Sequence, residues 1–338
     1  MESATHVTPD RPVYLDAFLE DAIELDVDAL CDTEECYVGS VLEHIEECGI
    51  HSGDSACCWP PFSLSEKIVD QIRAITKKLA LACGIRGLLN IQYAVRDEHV
   101  FVIELNPRAS RTVPFSSKAT GVSLAKFASR IMAGEKISEL RAQGLLPDEN
   151  RSVDYYAVKE AVMPWSRFPG ADSILGPEMK STGEVMGIAR TFPAAYAKTR
   201  EAVENKLPEQ GSVFISVCDR DKRAIAPVAM ALENLGYGIY TTGGTAKTLR
   251  AAGINCTIVN RISDGHPNVV DLMRDKTVSF IINTPHGHEA HSDGTKMRAE
   301  AVSQGITCVT AMSAATALIQ ALAAARKSQP ETFTLQDL

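Results

Sequence analysis

Residues 211–338 repeat one pattern that permits few folds. Short apolar segments, typical of strands, alternate there with segments of helix length. The strand-like segments read SVFISV, GIYTT, CTIVN, VSFIIN and ITCVT. The helices are predicted to begin near Asp221, Thr245, Asn268 and Ser292, with another after Met312. Strands that alternate with helices of this length form a parallel sheet covered on both faces, so we expect a doubly wound α/β domain.

The first part of the chain shows a different pattern, with strands separated by turns. The segment AIELDVDALCD (22–32) alternates apolar and acidic residues, which predicts a half-exposed strand with Glu24 on its solvent face. YVGSVLEHIEE is predicted to continue the sheet in the same manner. Residues 63–84 read as a helix that Ser63 or Ser65 caps and Gly84 ends.

Residues 86–108 predict an antiparallel hairpin, because two apolar runs flank the polar turn at residues 96–99. Side chains alternate between the two faces of a strand, so either the odd-numbered or the even-numbered residues must face the core. The expected core positions are Leu89, Ile91, Tyr93, Val95, Phe101, Ile103 and Leu105. The opposite face then carries Asn90, Gln92, Ala94, Val102, Glu104 and Asn106.

Three oxygen-bearing side chains converge on that second face, namely Gln92, Glu104 and Asn106. One carboxylate with two amide oxygens suits Mg²⁺, which keeps its other positions for water and phosphate oxygens. Pro107 ends the strand, and Arg108 just beyond it could reach a phosphoryl group. From the residues alone, the polar outer face of an ordinary hairpin stays open as an alternative.

A second set of polar residues follows the strands of the C-terminal part. In YTTGGTAKTLRAAG (240–253) two glycines let the backbone turn closely, and Thr245 can cap the next helix. The carboxyl ends of parallel strands share one edge of the sheet, where such folds bind ligands. The residues expected to gather at this edge are Ser216, Lys222, Thr242, Thr245, Arg261, Asn283 and Thr284. They predict a phosphate pocket, with a plain strand-to-helix turn as the alternative.

Three histidines follow the fourth of these strands, at His286, His288 and His291. Their spacing suggests a metal, but they lie in a glycine-containing loop with no cysteine partner. We interpret them as loop residues or anion contacts.

Composition narrows the class of protein. The net charge of −9 lacks any offsetting basic tract, which argues against binding to nucleic acid polymers or anionic membranes. The nine cysteines are scattered without a CxxC pair, which fits a reducing compartment. The start of the chain shows no signal-peptide pattern, and the uncharged stretch 305–325 is interrupted by polar residues. A cytoplasmic protein is therefore expected.

Long motifs extend the interpretation beyond isolated residues. GLLNIQYAV followed by IELNPR, preceded by FLEDAIELDVDALCD and HIEECGIHSGDSA, resembles the ATP-grasp domain of carbamoyl phosphate synthetase large subunits. The resemblance continues through ASRTVPFSSKATGVSLAKFASRIMAGE and GPEMKSTGEVMG. The last part resembles the methylglyoxal-synthase-like (MGS-like) regulatory domain that ends the same subunit.

This resemblance implies a fold of mixed class, α/β and α+β. A partial ATP-grasp domain, an antiparallel sheet with helices, is expected over residues 1–134. Residues 135–210 would form a connecting segment and the end of the synthetase domain, with a linker near 206–212. Residues 211–338 would form the MGS-like allosteric domain, a doubly wound parallel α/β unit.

The resemblance also assigns roles by position. Gln92, Glu104 and Asn106 match ligands of Mg²⁺ or Mn²⁺, and Arg108 matches a catalytic arginine near the phosphoryl acceptor. The residues that match ATP-binding positions are Leu19, Glu24, Gly49, Ile50, His51, Ser52, Gln92 and Glu104. His51 taken alone reads equally well as a turn residue bonded to its own backbone.

The implied effector site is the pocket of seven residues described above. In the family it receives nucleotides of the UMP or IMP type, and ornithine acts at a nearby interface in some bacterial members. Arg261 stands where lysine is common and Pro285 where threonine is common. The effector for this chain therefore stays open.

The implied activity is that of a ligase, carbamoyl-phosphate synthase. It phosphorylates carbamate with ATP to carbamoyl phosphate for arginine and pyrimidine biosynthesis. The implied partners are a glutaminase small subunit and the nucleotide effector, and homo-oligomers are compatible with the resemblance. Because the sequence begins inside the family pattern, without the lid half of the ATP site, we expect negligible synthesis by these 338 residues alone.

Three alternatives to this activity exist. The first is a stand-alone MGS-like module that binds a nucleotide effector without catalysis. Methylglyoxal synthase itself would need a catalytic aspartate and an acidic loop after the fourth strand, where this chain has NTPHGHEAHSD. Other ATP-grasp ligases such as biotin carboxylase share the ELNPR chemistry but lack the terminal domain.

Overall fold

The computed structural model describes residues 17–149, 151–167, 171–203, 208–285, 293–327, 332 and 334–337. Its strands are β1 (Ile23–Asp32), β2 (Cys36–His44), β3 (Cys57–Trp59), β4 (Arg86–Arg96), β5 (His99–Asn106), β6 (Tyr156–Val162), β7 (Gly183–Ala189), β8 (Ser212–Ser216), β9 (Gly238–Thr241), β10 (Thr257–Ile258), β11 (Phe280–Asn283) and β12 (Thr307–Val309). Its α-helices are α1 (Glu66–Ala82), α2 (Val113–Thr120), α3 (Leu124–Met132), α4 (Ile137–Ala142), α5 (Phe192–Ala202), α6 (Lys222–Asn234), α7 (Gly243–Ala251), α8 (Val269–Arg274), α9 (Asp293–Gln304) and α10 (Met312–Lys327).

The first sheet has seven antiparallel strands in the order β5-β4-β1-β2-β3-β6-β7. The strand predicted at 22–32 is confirmed as β1, but the prediction that one of its faces is exposed to solvent is wrong. Glu24, Asp26 and Asp28 are only 4%, 1% and 0% exposed. Sequence periodicity detected the strand but could not show that β2 and β4 flank it and that structure covers both of its faces.

The odd face of this sheet packs against α1, the helix predicted over 63–84. Ser65 is the N-cap residue, and Gly84, with a φ of +62°, lies just past the end. Ile68 and Ile72 from α1 are buried against apolar residues of β1 and β4. On the other face, α2, α3 and α4 cover the end of the sheet around Leu30 and Tyr37.

The hairpin predicted over 86–108 is confirmed as β4 and β5. The prediction that its odd-numbered residues face the core is correct for only part of its length. A β-bulge follows Gln92, so that Gln92 pairs with Glu104 whereas Tyr93 pairs with Val102. Phe101 and Ile103, which were predicted to lie in the core, are 40% and 49% exposed. The extra residue shifts the facing of β5, which is also the edge strand.

Residues 135–210 contribute to the first sheet through β6 and β7, with α5 packed beside them. The predicted linker at 206–212 falls partly on residues 204–207, outside the described residues. The three-part division of the chain stays a prediction.

The second sheet is parallel, in the order β10-β9-β8-β11-β12. Apolar residues of α6, α7 and α10 form a core on one face, and those of α8 and α9 form another core on the other. Each predicted strand and helix of this part is present, and the doubly wound α/β class is confirmed.

Helix α10 belongs to both halves of the molecule. Its residues Leu318 and Leu322 pack under the parallel sheet, whereas Ala317 and Ala321 contact the cluster that contains Phe192 and Tyr196 of the first half. Alanines allow α10 and α5 to approach closely. The two sheets are therefore joined through a shared apolar interface.

Candidate functional site

Polar side chains form two rows across the middle of the first sheet. In one row, Glu104 of β5 pairs with Gln92 of β4, which pairs with Asp26 of β1. The neighbouring row runs from Asn106 through Asn90 to Asp28. Residues two apart on a strand share a face, so all six side chains lie on the same side of the sheet.

The structure places the three predicted metal ligands together at the outer end of these rows. The Nδ2 of Asn106 donates to Oε1 of Glu104 at 2.7 Å, so the amide oxygen of Asn106 remains the atom that would face a cation. Gln92 lies opposite Glu104 and is half-buried. A carboxylate with amide oxygens fits Mg²⁺ or Mn²⁺ by ligand type.

Asp28 anchors the chain that follows β5. Its carboxylate accepts hydrogen bonds from Ser110 at 2.6 Å, Thr112 at 2.7 Å and Ser116 at 2.8 Å. Asn90 Nδ2 adds a longer contact of 3.2 Å. Burial raises the pKa of Asp28, although the three hydroxyl donors oppose that shift. The segment after Arg108 is thereby fixed to the centre of the sheet.

Arg108 lies at the exposed end of this segment. Its Nη1 donates to the carbonyl oxygen of Ala109 at 3.2 Å, and the side chain is exposed. Arg108 lies two residues after Asn106, and its guanidinium is accessible from solvent. A ligand such as a phosphoryl group could therefore reach it.

Glu24 and Gly49 connect the sheet to the predicted nucleotide segment 49–52. The backbone nitrogen of Gly49 donates to Oε2 of Glu24 at 2.9 Å. Gly49 has a φ of +94°, and a Cβ there would lie 2.9 Å from the ring of Phe18, next to the half-buried Leu19. The expectation that Glu24 points freely to solvent is wrong, because β2 and this segment cover it.

The other residues of the nucleotide segment are held mainly through their backbone. His51 Nδ1 accepts from the nitrogen of Gly53 at 3.0 Å, which is the local turn contact that the sequence allowed. The carbonyl of Ser52 accepts from the buried Lys159 at 3.3 Å. Ile50 and Ser52 are half-buried.

Sequence reasoning missed a buried pair beside these residues. His44 Nε2 lies 2.9 Å from Oδ2 of Asp26, and both side chains are almost fully buried. Burial is the largest single effect and opposes charge on both groups, but their mutual hydrogen bond and charge attraction, with smaller contributions from neighbours, together outweigh it. The pKa of His44 is therefore raised and that of Asp26 is lowered. The only sequence signal for this pair was that Asp26 lies two residues after Glu24 and therefore on the same face of β1.

The second predicted site is a cavity of about 470 Å³ at the carboxyl edge of the parallel sheet. All of the predicted effector residues line it, namely Ser216, Lys222, Thr242, Thr245, Arg261, Asn283 and Thr284. Helix α7 begins at Gly243 with Thr242 as its N-cap, so the prediction that Thr245 is the cap is wrong. Thr245 Oγ1 instead accepts from the nitrogen of Val217 at 3.4 Å.

The walls of the cavity are tied together by polar contacts. Asn283 Nδ2 donates to the carbonyl of Ser216 at 2.8 Å, and Thr284 Oγ1 accepts from the nitrogen of Cys218 at 3.0 Å. Lys222 is paired with Asp219. The sequence did not point to Asp293 and Arg298, which also line the cavity.

The three histidines at 286, 288 and 291 lie outside the described residues, whereas Pro285 lines the cavity. Among the residues that the structure describes, no three His, Cys, Asp or Glu side chains are grouped as metal ligands.

All nine cysteines are free thiols. No helix in the described part of the chain has the length and apolar character needed to cross a membrane.

Two family models match the chain. The model described as the carbamoyl-phosphate synthase L chain, ATP binding domain, matches residues 1–140, and the MGS-like domain model matches residues 224–310. Carbamoyl phosphate synthase large chains from Acidobacterium capsulatum and Pasteurella multocida are each 46% identical, over 99% and 100% of this chain. The large chain from Micrococcus luteus is 48% identical over 99% of it.

Among solved structures, the biotin carboxylase domain of a single-chain bacterial carboxylase aligns with a TM-score of 0.44 and 16% identity. The alignment covers 58% of this chain and 51% of that one.

The fold and the two matched models define a chain that joins an ATP-binding domain to an MGS-like domain. The chain belongs to the carbamoyl phosphate synthase large chain family. It spans 31–32% of the length of these curated relatives.

We predict that Asp28→Asn lowers the free energy of unfolding by about 2–4 kcal/mol, because an amide cannot accept all of the buried hydroxyl donors. Urea denaturation followed by circular dichroism measures the change. Asp70→Asn, on the exposed face of α1, is the matched control and should change stability by less than about 0.5 kcal/mol. Equal stability of the two variants would contradict the anchoring role of Asp28.

The stability of the fold should depend on pH through Glu46, whose Oε2 accepts a hydrogen bond from the nitrogen of Ala56 at 2.6 Å. Burial, and secondly the nearby Glu160, raise the pKa of Glu46 from 4.5 to about 7. The folded protein therefore holds a proton that the unfolded chain releases, so Glu46 makes stability fall as pH rises from 4.5 to 7.

Glu46→Gln should remove that fall, which amounts to at most about 3 kcal/mol. Thermal denaturation should then show a higher midpoint than wild type at pH ~8 and an equal midpoint below pH ~4.5, where both forms are neutral. Glu201→Gln, exposed on α5, is the control. A midpoint for Glu46→Gln that equals wild type at both pH values would contradict this account.

Proposed function

We propose that this chain carries part of the carbamate-phosphorylating site of a carbamoyl phosphate synthase, together with a pocket for a nucleotide effector. The observation that supports the first site best is the row of Glu104, Gln92 and Asp26, with Asn106 hydrogen-bonded to Glu104 at 2.7 Å. Family membership supports the interpretation of that row as a nucleotide site rather than a solvated hairpin face.

The proposed chemistry needs positioning and charge neutralisation more than a strong base. A Mg²⁺ or Mn²⁺ ion held by Gln92, Glu104 and Asn106 would neutralise phosphate oxygens of ATP. Arg108 would contact the transferred phosphoryl group, and the segment 49–52 would hold the nucleoside through its backbone. Asp28 keeps the chain after Arg108 in place through its three hydroxyl contacts.

In the proposed reaction a carbamate oxygen attacks the γ-phosphorus of ATP. The bond from that phosphorus to the bridging oxygen breaks, and ADP leaves with its electrons, giving carbamoyl phosphate. Carbamate carries its own nucleophilic oxygen, so no protein nucleophile is required. The whole protein would act with a glutaminase small subunit, in arginine and pyrimidine biosynthesis, and the free cysteines support a reducing compartment such as the cytoplasm.

The cavity of the second sheet is proposed to bind a nucleoside monophosphate of the UMP or IMP type. Thr242 at the start of α7 and the hydroxyl of Thr245 present polar groups to the cavity, and Lys222 and Arg261 supply positive charge. A volume of about 470 Å³ is in the usual range for small-molecule sites.

Calorimetric titration of the chain with MgATP, UMP and IMP tests both sites. We expect Glu104→Gln to weaken MgATP binding by about tenfold or more, because a charged metal ligand is lost, and to leave effector binding unchanged. Lys222→Gln should weaken UMP or IMP binding and leave MgATP binding unchanged. The matched controls are Glu98→Gln, in the exposed turn of the same hairpin, and Lys247→Gln, exposed on α7.

Binding of UMP or IMP without any binding of MgATP would overturn the catalytic part of the proposal. It would favour the stand-alone effector module instead. Loss of MgATP binding in Glu98→Gln equal to that in Glu104→Gln would contradict the assigned metal ligands.

A further inference from the structure

Two buried thiols face each other at the end of the hairpin that β1 and β2 form. Cys31, the second-last residue of β1, pairs directly with Cys36, the first residue of β2. The Sγ of Cys31 lies 3.4 Å from the Sγ of Cys36, and the two residues are 0% and 6% exposed. Neither thiol takes part in the ATP site or in the effector cavity proposed above.

The backbone already holds this pair at the separation that a disulfide needs. The nitrogen of Asp32 donates to the carbonyl of Glu35 at 3.1 Å, so the next pair of the ladder, Cys31 with Cys36, is a non-hydrogen-bonded pair. The Cα atoms of such a pair are about 4.5 Å apart, and disulfides join Cα atoms that are about 4.4–6.8 Å apart. The two sulfurs can therefore reach bonding distance by side-chain rotation, without a shift of the strands.

The surroundings of the two thiols favour a disulfide over a bound metal ion. Both thiols belong to the apolar cluster between α1 and the first sheet, with Ile68, Ile72 and Leu89. Within the described ranges of the chain, no further His, Cys, Asp or Glu is grouped with them as a third ligand. A disulfide carries no charge and no strong hydrogen-bonding group, so an apolar site accepts it at little cost.

The two thiols differ in their readiness to react. The hydrogen bond to Cys36, and secondly burial, raise the pKa of the Cys31 thiol above its ordinary value of 9.0, so Cys31 stays protonated at neutral pH. Cys36 is the more exposed of the two, so an external reagent reaches it first. Modification of Cys36 weakens the hydrogen bond that keeps Cys31 protonated, and Cys31 then reacts more readily.

We propose that Cys31 and Cys36 form a reversible disulfide by exchange with a low-molecular-weight disulfide such as glutathione disulfide. The Cys36 thiolate attacks one sulfur of the reagent, whose S–S bond breaks and releases one thiolate. The Cys31 thiolate then attacks the Cys36 sulfur of this mixed disulfide and displaces the second thiolate. The protein loses two protons and two electrons, and the reagent gains them as two thiols.

The disulfide fastens a turn that is also tied to α4. The carboxylate of Asp32 accepts from the nitrogen of Glu35 within the turn at 2.7 Å and from the nitrogen of Ile137, at the start of α4, at 2.7 Å. A bond between Cys31 and Cys36 closes a short loop around this turn and restricts the unfolded chain. Oxidation should therefore stabilise the folded state.

Equilibration of the folded chain with glutathione and glutathione disulfide tests the proposal. Free thiols are then blocked with N-ethylmaleimide in urea, and the blocked chain is digested with glutamyl endopeptidase. The enzyme cuts after Glu34 and Glu35, which separates peptides 25–34 and 36–43 unless a disulfide joins them. We expect mass spectrometry to show these two peptides linked, and separate again after treatment with dithiothreitol.

Two variants show whether this pair stabilises the fold when it is oxidised. Oxidation should raise the midpoint of thermal denaturation of the wild type by at least about 2 °C. Cys36→Val removes one thiol but keeps an apolar side chain, so its midpoint should not respond to oxidation. Cys83→Ser is the matched control, because Cys83 is an exposed thiol just past the end of α1, and this variant should respond as the wild type does.

Free thiols at Cys31 and Cys36, at a glutathione ratio that fully modifies Cys83, would overturn the proposal. A glutathione mixed disulfide on Cys36 that Cys31 never displaces, or a link that forms only in urea, would overturn it as well. A linked wild type whose midpoint does not rise, or rises no more than that of Cys36→Val, would overturn the stabilising role of the bond.

Discussion

The buried carboxylate of Asp28 organises the first half of the molecule. It sits at 0% exposure in the central region of a seven-stranded sheet and accepts from three hydroxyl groups. A buried carboxylate without donors would destabilise the fold strongly, so Ser110, Thr112 and Ser116 must be held against it. That requirement fixes the chain between β5 and α2. It also holds the backbone just after Arg108, the residue that we propose contacts the phosphoryl group.

The sequence predicted the second half of the fold almost completely. Its strands and helices alternate with regular lengths, and local periodicity is enough to specify a doubly wound sheet. In the first half the strands were predictable, but their environments were not. Glu24 is buried because other parts of the chain cover it, and the parity of β5 breaks at a bulge that nothing in the local pattern reveals.

Some residues of the candidate sites could likewise be predicted from local sequence patterns, and others could not. The set of Gln92, Glu104 and Asn106 could be found because all three lie on the same side of the bulge, where β4 and β5 keep the predicted parity. The cavity proposed to bind an effector could be found because strand ends of a parallel sheet meet at one edge. The pair of Arg298 and Asp172 joins residues 126 positions apart, and no local pattern predicts such a contact.

Gln92 and Asn106, with Glu104, are proposed to face a divalent cation that is bound together with ATP. Side-chain amide signals of the chain, recorded by NMR with MnATP, test this most directly because Mn²⁺ broadens signals of nearby nuclei. We expect selective broadening for Gln92 and Asn106, whereas Asn255 on the far rim of the second sheet should be unaffected. Broadening at Asn283 in the effector cavity, with none at Gln92 and Asn106, would contradict it.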